Sequence, residues 1–154
     1  MQFCDFGSAR ADPAAEISRL CARRFLTEKE AAAISPEKVK TFFESELYSR
    51  IEKSPFVRRE LRFLRSLPAA DLGYEGAAPE DKITVQGVAD CVFEEGGELF
   101  VLDYKTDFVE DIEELRSRYS AQLTMYKRLL SESLGRPVAG AVIWSFRFGR
   151  ELWI

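Results

Sequence analysis

The sequence predicts an α/β fold: a small mixed β-sheet flanked by helices, preceded by an N-terminal helical segment. Three observations predict it. The first third carries apolar residues at helical spacing behind clear helix starts. The middle holds two β-prone runs, 83–94 and 98–105, joined by Gly96-Gly97, a pair suited to a tight two-residue turn. A long helical stretch, 111–134, then separates the second run from another strongly β-prone run at 138–147. That strand–helix–strand order suits a crossover to a parallel neighbour. One domain is expected over 1–154, with residues 1–54 as the helical segment and 55–154 as the sheet-bearing core.

The elements follow in order. From Pro13 to about Phe25, Ile17, Leu20, Cys21 and Phe25 recur at helical spacing. Thr27 followed by Glu30 is a capping-box pattern opening a short helix through Ile34. Ser35-Pro36 is an N-cap followed by proline at the first helical position. It starts a helix expected to carry Val39, Phe42, Phe43, Leu47 and Ile51 on one face. Pro55 ends the helical region. Residues 56–67 read as a strand, and 67–82, rich in Pro, Gly, Ala and acid, as a loop between strands. The long helix stops at Gly135-Arg136-Pro137. Gly149 is expected to turn the chain into a last short strand ending at Trp153-Ile154. The apolar strip from Trp144 to Trp153 reads as core, with contact to a larger assembly as the alternative.

Composition narrows the function classes. Hydrophobic residues make up 46% and charged residues 31%, an ordinary globular balance for a 154-residue chain. No apolar run approaches the roughly 18 residues that span a bilayer, and the first residues lack a signal-peptide pattern. The three scattered cysteines suit neither a disulfide framework nor a CxxC zinc site, so a reducing cytoplasm is expected. The net charge of -4 argues against gripping nucleic acid by electrostatics alone. Arg58, Arg59, Arg62, Arg65, Arg116, Arg118, Lys127 and Arg128 read as solvated surface. Histidine is absent, which excludes Ser-His-Asp and Cys-His catalysis and histidine metal sites within this chain. Any acid–base or metal chemistry must use carboxylates, lysines or tyrosines.

The hairpin gathers such groups. With Gly96 and Gly97 as turn residues, Glu95 pairs with Glu98, and paired residue numbers keep a constant sum. Asp90 then falls opposite Asp103, on the same face as Lys105 two residues further on. Carboxylates that close repel unless they share a proton, gain a cationic neighbour or bind a metal ion. An oxygen-only ligand set favours Mg²⁺ or Mn²⁺. Such an ion orients a phosphodiester and activates water, and Lys105 is suited to handle that water's proton or to stabilise the phosphorane-like transition state. The plainer reading of Asp and Lys two apart on a strand is a solvated face or a weak ion pair. On the long helix, Tyr119, Gln122 and Tyr126 share a stripe with Leu115 and Leu129, which predicts an inward-facing Gln122 in need of partners. The plainer reading there is a core tyrosine and a satisfied glutamine.

Together, Gly87-x-x-Asp90, Asp103-Tyr104-Lys105 and Gln122-x-x-x-Tyr126 resemble the RecB-type branch of the PD-(D/E)XK nucleases. Longer stretches are similar to the C-terminal nuclease domains of AddA-type helicase–nuclease subunits. These are Val85-Gln86-Gly87-Val88-Ala89-Asp90-Cys91, Leu102-Asp103-Tyr104-Lys105-Thr106-Asp107, Arg118-Tyr119-Ser120-Ala121-Gln122-Leu123, Phe25-Leu26-Thr27-Glu28-x-Glu30-Ala31 and Phe42-Phe43-Glu44-Ser45-Glu46-Leu47. The resemblance implies a restriction-endonuclease-like core and a Mg²⁺- or Mn²⁺-dependent deoxyribonuclease. It implies that Asp90, Asp103 and the backbone carbonyl of Tyr104 bind the metal and that Lys105 is the catalytic lysine. Gln122 and Tyr126 would shape the site and contact the DNA backbone, and Glu60 resembles a glutamate at the site border. Further implied are a bacterial cytoplasmic setting in double-strand-break processing, ATP bound only in the parent's helicase domains, a single strand delivered by that helicase, and an AddB-like partner subunit. The family's upstream metal-binding histidine has no counterpart here. The expectation is therefore a fragment that starts just after that residue, with weakened metal affinity and low activity by itself. Two rivals are a degenerate nuclease fold used for DNA binding or subunit docking, and a stand-alone nuclease of the same fold.

Overall fold

The computed structural model describes all residues from Met1 to Ile154. Five short helices come first: α1 Phe6–Ala11, α2 Pro13–Ala22, α3 Glu28–Ala33, α4 Pro36–Phe43 and α5 Glu46–Glu52. Strand β1 (Val57–Pro68) leads through a 3₁₀ turn, Ala69–Leu72, and a loop into β2 (Lys82–Glu95) and β3 (Glu98–Lys105). Helix α6 (Glu113–Leu134) crosses to β4 (Val138–Ser145), and β5 (Arg150–Trp153) follows. The strands form one sheet in the order β1-β2-β3-β4-β5. Only β3 and β4 run parallel, as the crossover through α6 requires.

Side chains written into the sequence cap each early helix. Asp5 accepts from the Ser8 N–H at 2.7 Å, and Asp12, before Pro13, from Ala15 at 3.0 Å. Thr27 and Glu30 form the expected capping box. Ser35 caps α4. Two sequence expectations need correction. The helix from Pro13 ends at Ala22 rather than Phe25: Arg24 turns left-handed (φ 61°), and Phe25 stacks on Phe3 with ring centroids 4.4 Å apart. The helix from Pro36 is two helices, because Ser45 starts a new one by accepting the Tyr48 N–H at 3.1 Å. A serine that satisfies an orphan N–H competes with helix continuation.

The sheet lies between two apolar layers. On one face, α6 packs Leu115, Leu123, Leu129 and Leu130 against Val92, Val101, Ala141 and Ile143. On the other, Phe42, Phe43, Leu47, Tyr48 and Ile51 of α4 and α5 cover Cys91, Phe93, Leu102, Val142 and Trp144. The central strands β3 and β4 are therefore apolar on both faces, the pattern of buried strands in a layered α/β fold. Each fully buried leucine of α6 contributes about 1.5–3 kcal/mol by leaving water. Trp144 is core, as read from the sequence.

One irregularity shapes the sheet. On β1, Val57 and Arg59 face the α4/α5 layer, but Leu61, Phe63 and Leu67 face α6. On β2, Phe93 and Cys91 face α4 and α5, while Ala89 faces α6. The ladder pairs Arg59 with Cys91 and Leu61 with Ala89 but skips Glu60 and Asp90 between them. Glu60 has φ 51°, in the left-handed region that non-glycine residues rarely adopt. The two strands thus exchange faces together at Glu60 and Asp90.

Candidate metal-dependent nuclease site

The hairpin turn forms as expected: Gly96 (φ 60°) and Gly97 (φ 87°) link Glu95 to Glu98, and the constant-sum pairing runs to Cys91 opposite Leu102. There the ladder stops, one position short of the expected Asp90–Asp103 pair. The physical reason is the face exchange just described. Asp90 does not stand on the sheet face; its Oδ2 accepts the Tyr104 N–H at 2.8 Å. A strand residue directs its N–H and C=O toward the same neighbour, so the Tyr104 carbonyl is aimed at the β2 side, beside Asp90.

Asp103 and Lys105 do share a face. Lys105 Nζ lies 2.7 Å from Asp103 Oδ2, with both side chains largely sequestered (16% and 9% exposed). The contact is a charge-assisted ion pair, and Lys105 is the one cationic partner that the buried Asp103 carboxylate has. Burial raises the Asp103 pKa, and Asp90 and Asp107 add to the effect; the Lys105 ammonium opposes it. Burial works against the charge on Lys105, yet the Asp103 carboxylate outweighs it and holds the lysine pKa above its ordinary value. Lys105 is therefore a cation here. It sits over the Tyr119 ring at 4.0 Å, and the Tyr119 hydroxyl donates to Asp107 at 2.6 Å.

The helix contributes differently from the expectation. Gln122 is exposed, not inward-facing, because Leu123 and Leu130 take the positions that meet the sheet. Its amide finds a partner on its own helix, donating to the Tyr126 hydroxyl at 3.2 Å. The Tyr126 ring meets Phe63 edge-on at 5.0 Å. Phe63 in turn fills the space over Gly87, where a Cβ would lie 2.4 Å from its Cζ. So Gly87, Phe63 and Tyr126 form one stack that ties β2, β1 and α6 together below Asp90. Sequence reading missed Tyr119 and Asp107 as neighbours of Lys105. Asp107, two residues beyond the lysine, was the one signal that could have found the pair.

The residues suit a hard divalent cation. They offer oxygen donors alone: the Asp90 carboxylate, the buried Asp103 carboxylate and the Tyr104 carbonyl aimed toward Asp90. The set is sparse: no group of three or more His, Cys, Asp or Glu side chains converges anywhere in the chain.

The chain matches the PD-(D/E)XK nuclease superfamily over residues 5–151. It is 36% identical over 151 residues to an ATP-dependent helicase/nuclease subunit of Clostridium botulinum (strain 657 / Type Ba4), covering 95% of this chain and 12% of that protein. The subunit of the same name from C. botulinum (strain Langeland / NCTC 10281 / Type F) is 37% identical over 151 residues, with the same coverage. That of Clostridium kluyveri (strain ATCC 8527) is 36% identical over 135 residues, covering 85% of this chain and 11% of the relative. The chain thus spans about an eighth of the length of these relatives. With a matched span that takes in all six α-helices and the first four strands, the chain belongs to the PD-(D/E)XK nuclease superfamily.

Proposed function

We propose that this chain is the DNA-cleaving domain of an AddA-type helicase–nuclease, hydrolysing phosphodiester bonds with Mg²⁺ or Mn²⁺. The observation that carries the reading is the buried Asp103–Lys105 pair beside Asp90. Sequestering two charges costs several kcal/mol that apolar residues would not incur. A docking or DNA-binding role has no use for that cost, which weighs against the degenerate-fold rival.

Asp90, Asp103 and the Tyr104 carbonyl would hold the cation. When bound, it would polarise the phosphodiester and lower the pKa of an attacking water. Lys105, held protonated by Asp103, would meet the charge that develops on the phosphate in the transition state. Tyr119 and Asp107 would fix the lysine's direction, the ring beneath the ammonium and the carboxylate anchoring the ring. Gln122 and Tyr126, at the exposed end of the Phe63 stack, would contact the DNA backbone, and Glu60 would border the site opposite Asp90. The substrate would be a single strand delivered by helicase domains, where ATP is bound, within a bacterial cytoplasmic complex containing an AddB-like subunit. No helix here is long and apolar enough to cross a membrane.

A longer protein carrying this domain and its helicase gives the direct test. Asp103→Ala and Lys105→Ala should each abolish DNA cleavage, read on gels, while ATP-driven unwinding persists. Cleavage that survives either change would remove that residue from the active site.

A further inference from the structure

The loop that follows Lys105 displays the most exposed large apolar side chain of the molecule. Phe108 is 81% exposed. This exposure is held rigidly. Before Phe108, Asp107 is fixed by the Tyr119 hydroxyl. After it, Val109 and Ile112 are buried, and Glu114 accepts the N–H groups of Glu110 and Asp111 at 2.9 and 3.1 Å. A ring presented in this way is not a loose loop side chain.

Arg147 supplies the second half. Its guanidinium lies 3.7 Å from the Phe108 ring centroid, covering one face of the ring. No carboxylate lies within ion-pairing distance of Arg147, whereas nine other cationic side chains have one. Both residues leave the same edge of the sheet as the catalytic strand, because the Phe146 N–H donates to the Lys105 carbonyl at 2.9 Å. An open aromatic face and an unpaired cation, side by side at the C-terminal ends of two parallel strands, match a base and a phosphate of an unpaired strand. A duplex keeps its base faces stacked internally and offers no such surface.

We infer that Phe108 and Arg147 form a single-stranded DNA contact beside the cleavage site, the ring stacking on one base and the guanidinium binding an adjacent phosphate. This rests on the nuclease reading for its ligand but uses none of the proposed metal-binding or catalytic residues.

The test is fluorescence anisotropy on the 154-residue chain in EDTA. The probes are an oligothymidine of about 16 nucleotides, the upper end of single-strand site sizes, and an equally long strand of abasic sites. Wild type should bind the base-bearing strand at least about fivefold tighter. Phe108→Ala and Phe108→Leu should erase that preference, and Phe108→Trp should keep it. Arg147→Ala should weaken both strands and reduce the salt dependence by about one released counterion. Equal binding of both strands by wild type, no binding of either, or oligothymidine binding unchanged in Phe108→Ala and Phe108→Leu would overturn the inference. The last result would assign the ring to a protein partner. Mn²⁺-dependent cleavage by the longer protein that carries this domain and its helicase, wild type against Asp103→Asn, reports separately on the nuclease reading. Asp103-dependent cleavage by the longer protein with unchanged Phe108→Ala binding defeats the stacking site alone, and base-selective binding with no Asp103-dependent cleavage in the longer protein defeats the nuclease reading alone.

Discussion

Two residues, Glu60 and Gly87, set the geometry around Asp90 without being chemical groups in the usual sense. Glu60 holds a left-handed backbone that costs an ordinary residue about 1–2 kcal/mol. Such strain persists where the surroundings over-determine it. Glycine relieves the left-handed cost but loses some entropy on folding, so Glu60→Gly should leave the melting temperature unchanged or raise it. Glu60→Val, β-branched and intolerant of positive φ, should cost about 1–3 kcal/mol in a denaturant titration. Gly87 is required by contact: any side chain there meets the Phe63 ring. Gly87→Ala should destabilise the fold by about 1–3 kcal/mol. Adding Phe63→Leu should recover part of that loss, a coupling readable in a double-mutant cycle. The sequence made Gly87 visible only as part of a motif. Its physical reason, a phenylalanine on the neighbouring strand, depends on a β1–β2 register that no local pattern reveals.

At the scale of elements, local signals were legible and long-range adjustments were not. The Gly96-Gly97 hairpin, the Thr27–Glu30 capping box and the Ser35-Pro36 start all formed, because each depends on residues a few positions apart. The Asp90–Asp103 pairing failed at its last step, because the face exchange at Glu60 is imposed by packing against two different layers. Gln122 was placed inward by helical spacing alone, whereas the sheet engages the stripe of Leu115, Leu123 and Leu130. The short N-terminal helices depend on one buried carboxylate. Glu16 of α2 accepts from the Asp5 N–H at 2.7 Å and from Arg19 Nε at 2.6 Å. Glu16→Ala should cost about 1–3 kcal/mol at neutral pH by orphaning those donors. The Arg19 guanidinium, with the Asp5 N–H, holds the Glu16 pKa below the usual carboxylate value despite burial. The unfolded chain therefore takes up this proton more readily than the folded one. The stabilisation is complete above the ordinary carboxylate pKa and is lost as pH falls through the lower folded value. Melting curves of wild type and Glu16→Gln should accordingly differ near neutrality and draw together only as pH falls below the ordinary carboxylate range.

For the whole molecule, the sheet is the common wall of both apolar layers, so opening the N-terminal layer need not open the core. The three cysteines report on this. Burial pushes the Cys91 thiol up to about 12 and the Cys4 thiol up to about 11, and neither forms appreciable thiolate at pH 8. Cys21 is partly exposed. A thiol reagent at pH 8 should label Cys21 at once, Cys4 as the N-terminal helices open, and Cys91 only on global unfolding. Equal rates for Cys4 and Cys91 would mean that the two layers unfold as one.

The central claim is that Asp103, its partner Lys105 and the nearby Asp90 hold a divalent cation for phosphodiester hydrolysis. Mn²⁺ binding to the 154-residue chain, followed by electron paramagnetic resonance, tests it most directly. The account predicts one weak site, with affinity lowered at least about tenfold in Asp103→Asn and in Asp90→Asn, each checked by circular dichroism to be folded at the assay temperature. Equal Mn²⁺ affinity in wild type and both variants would contradict it.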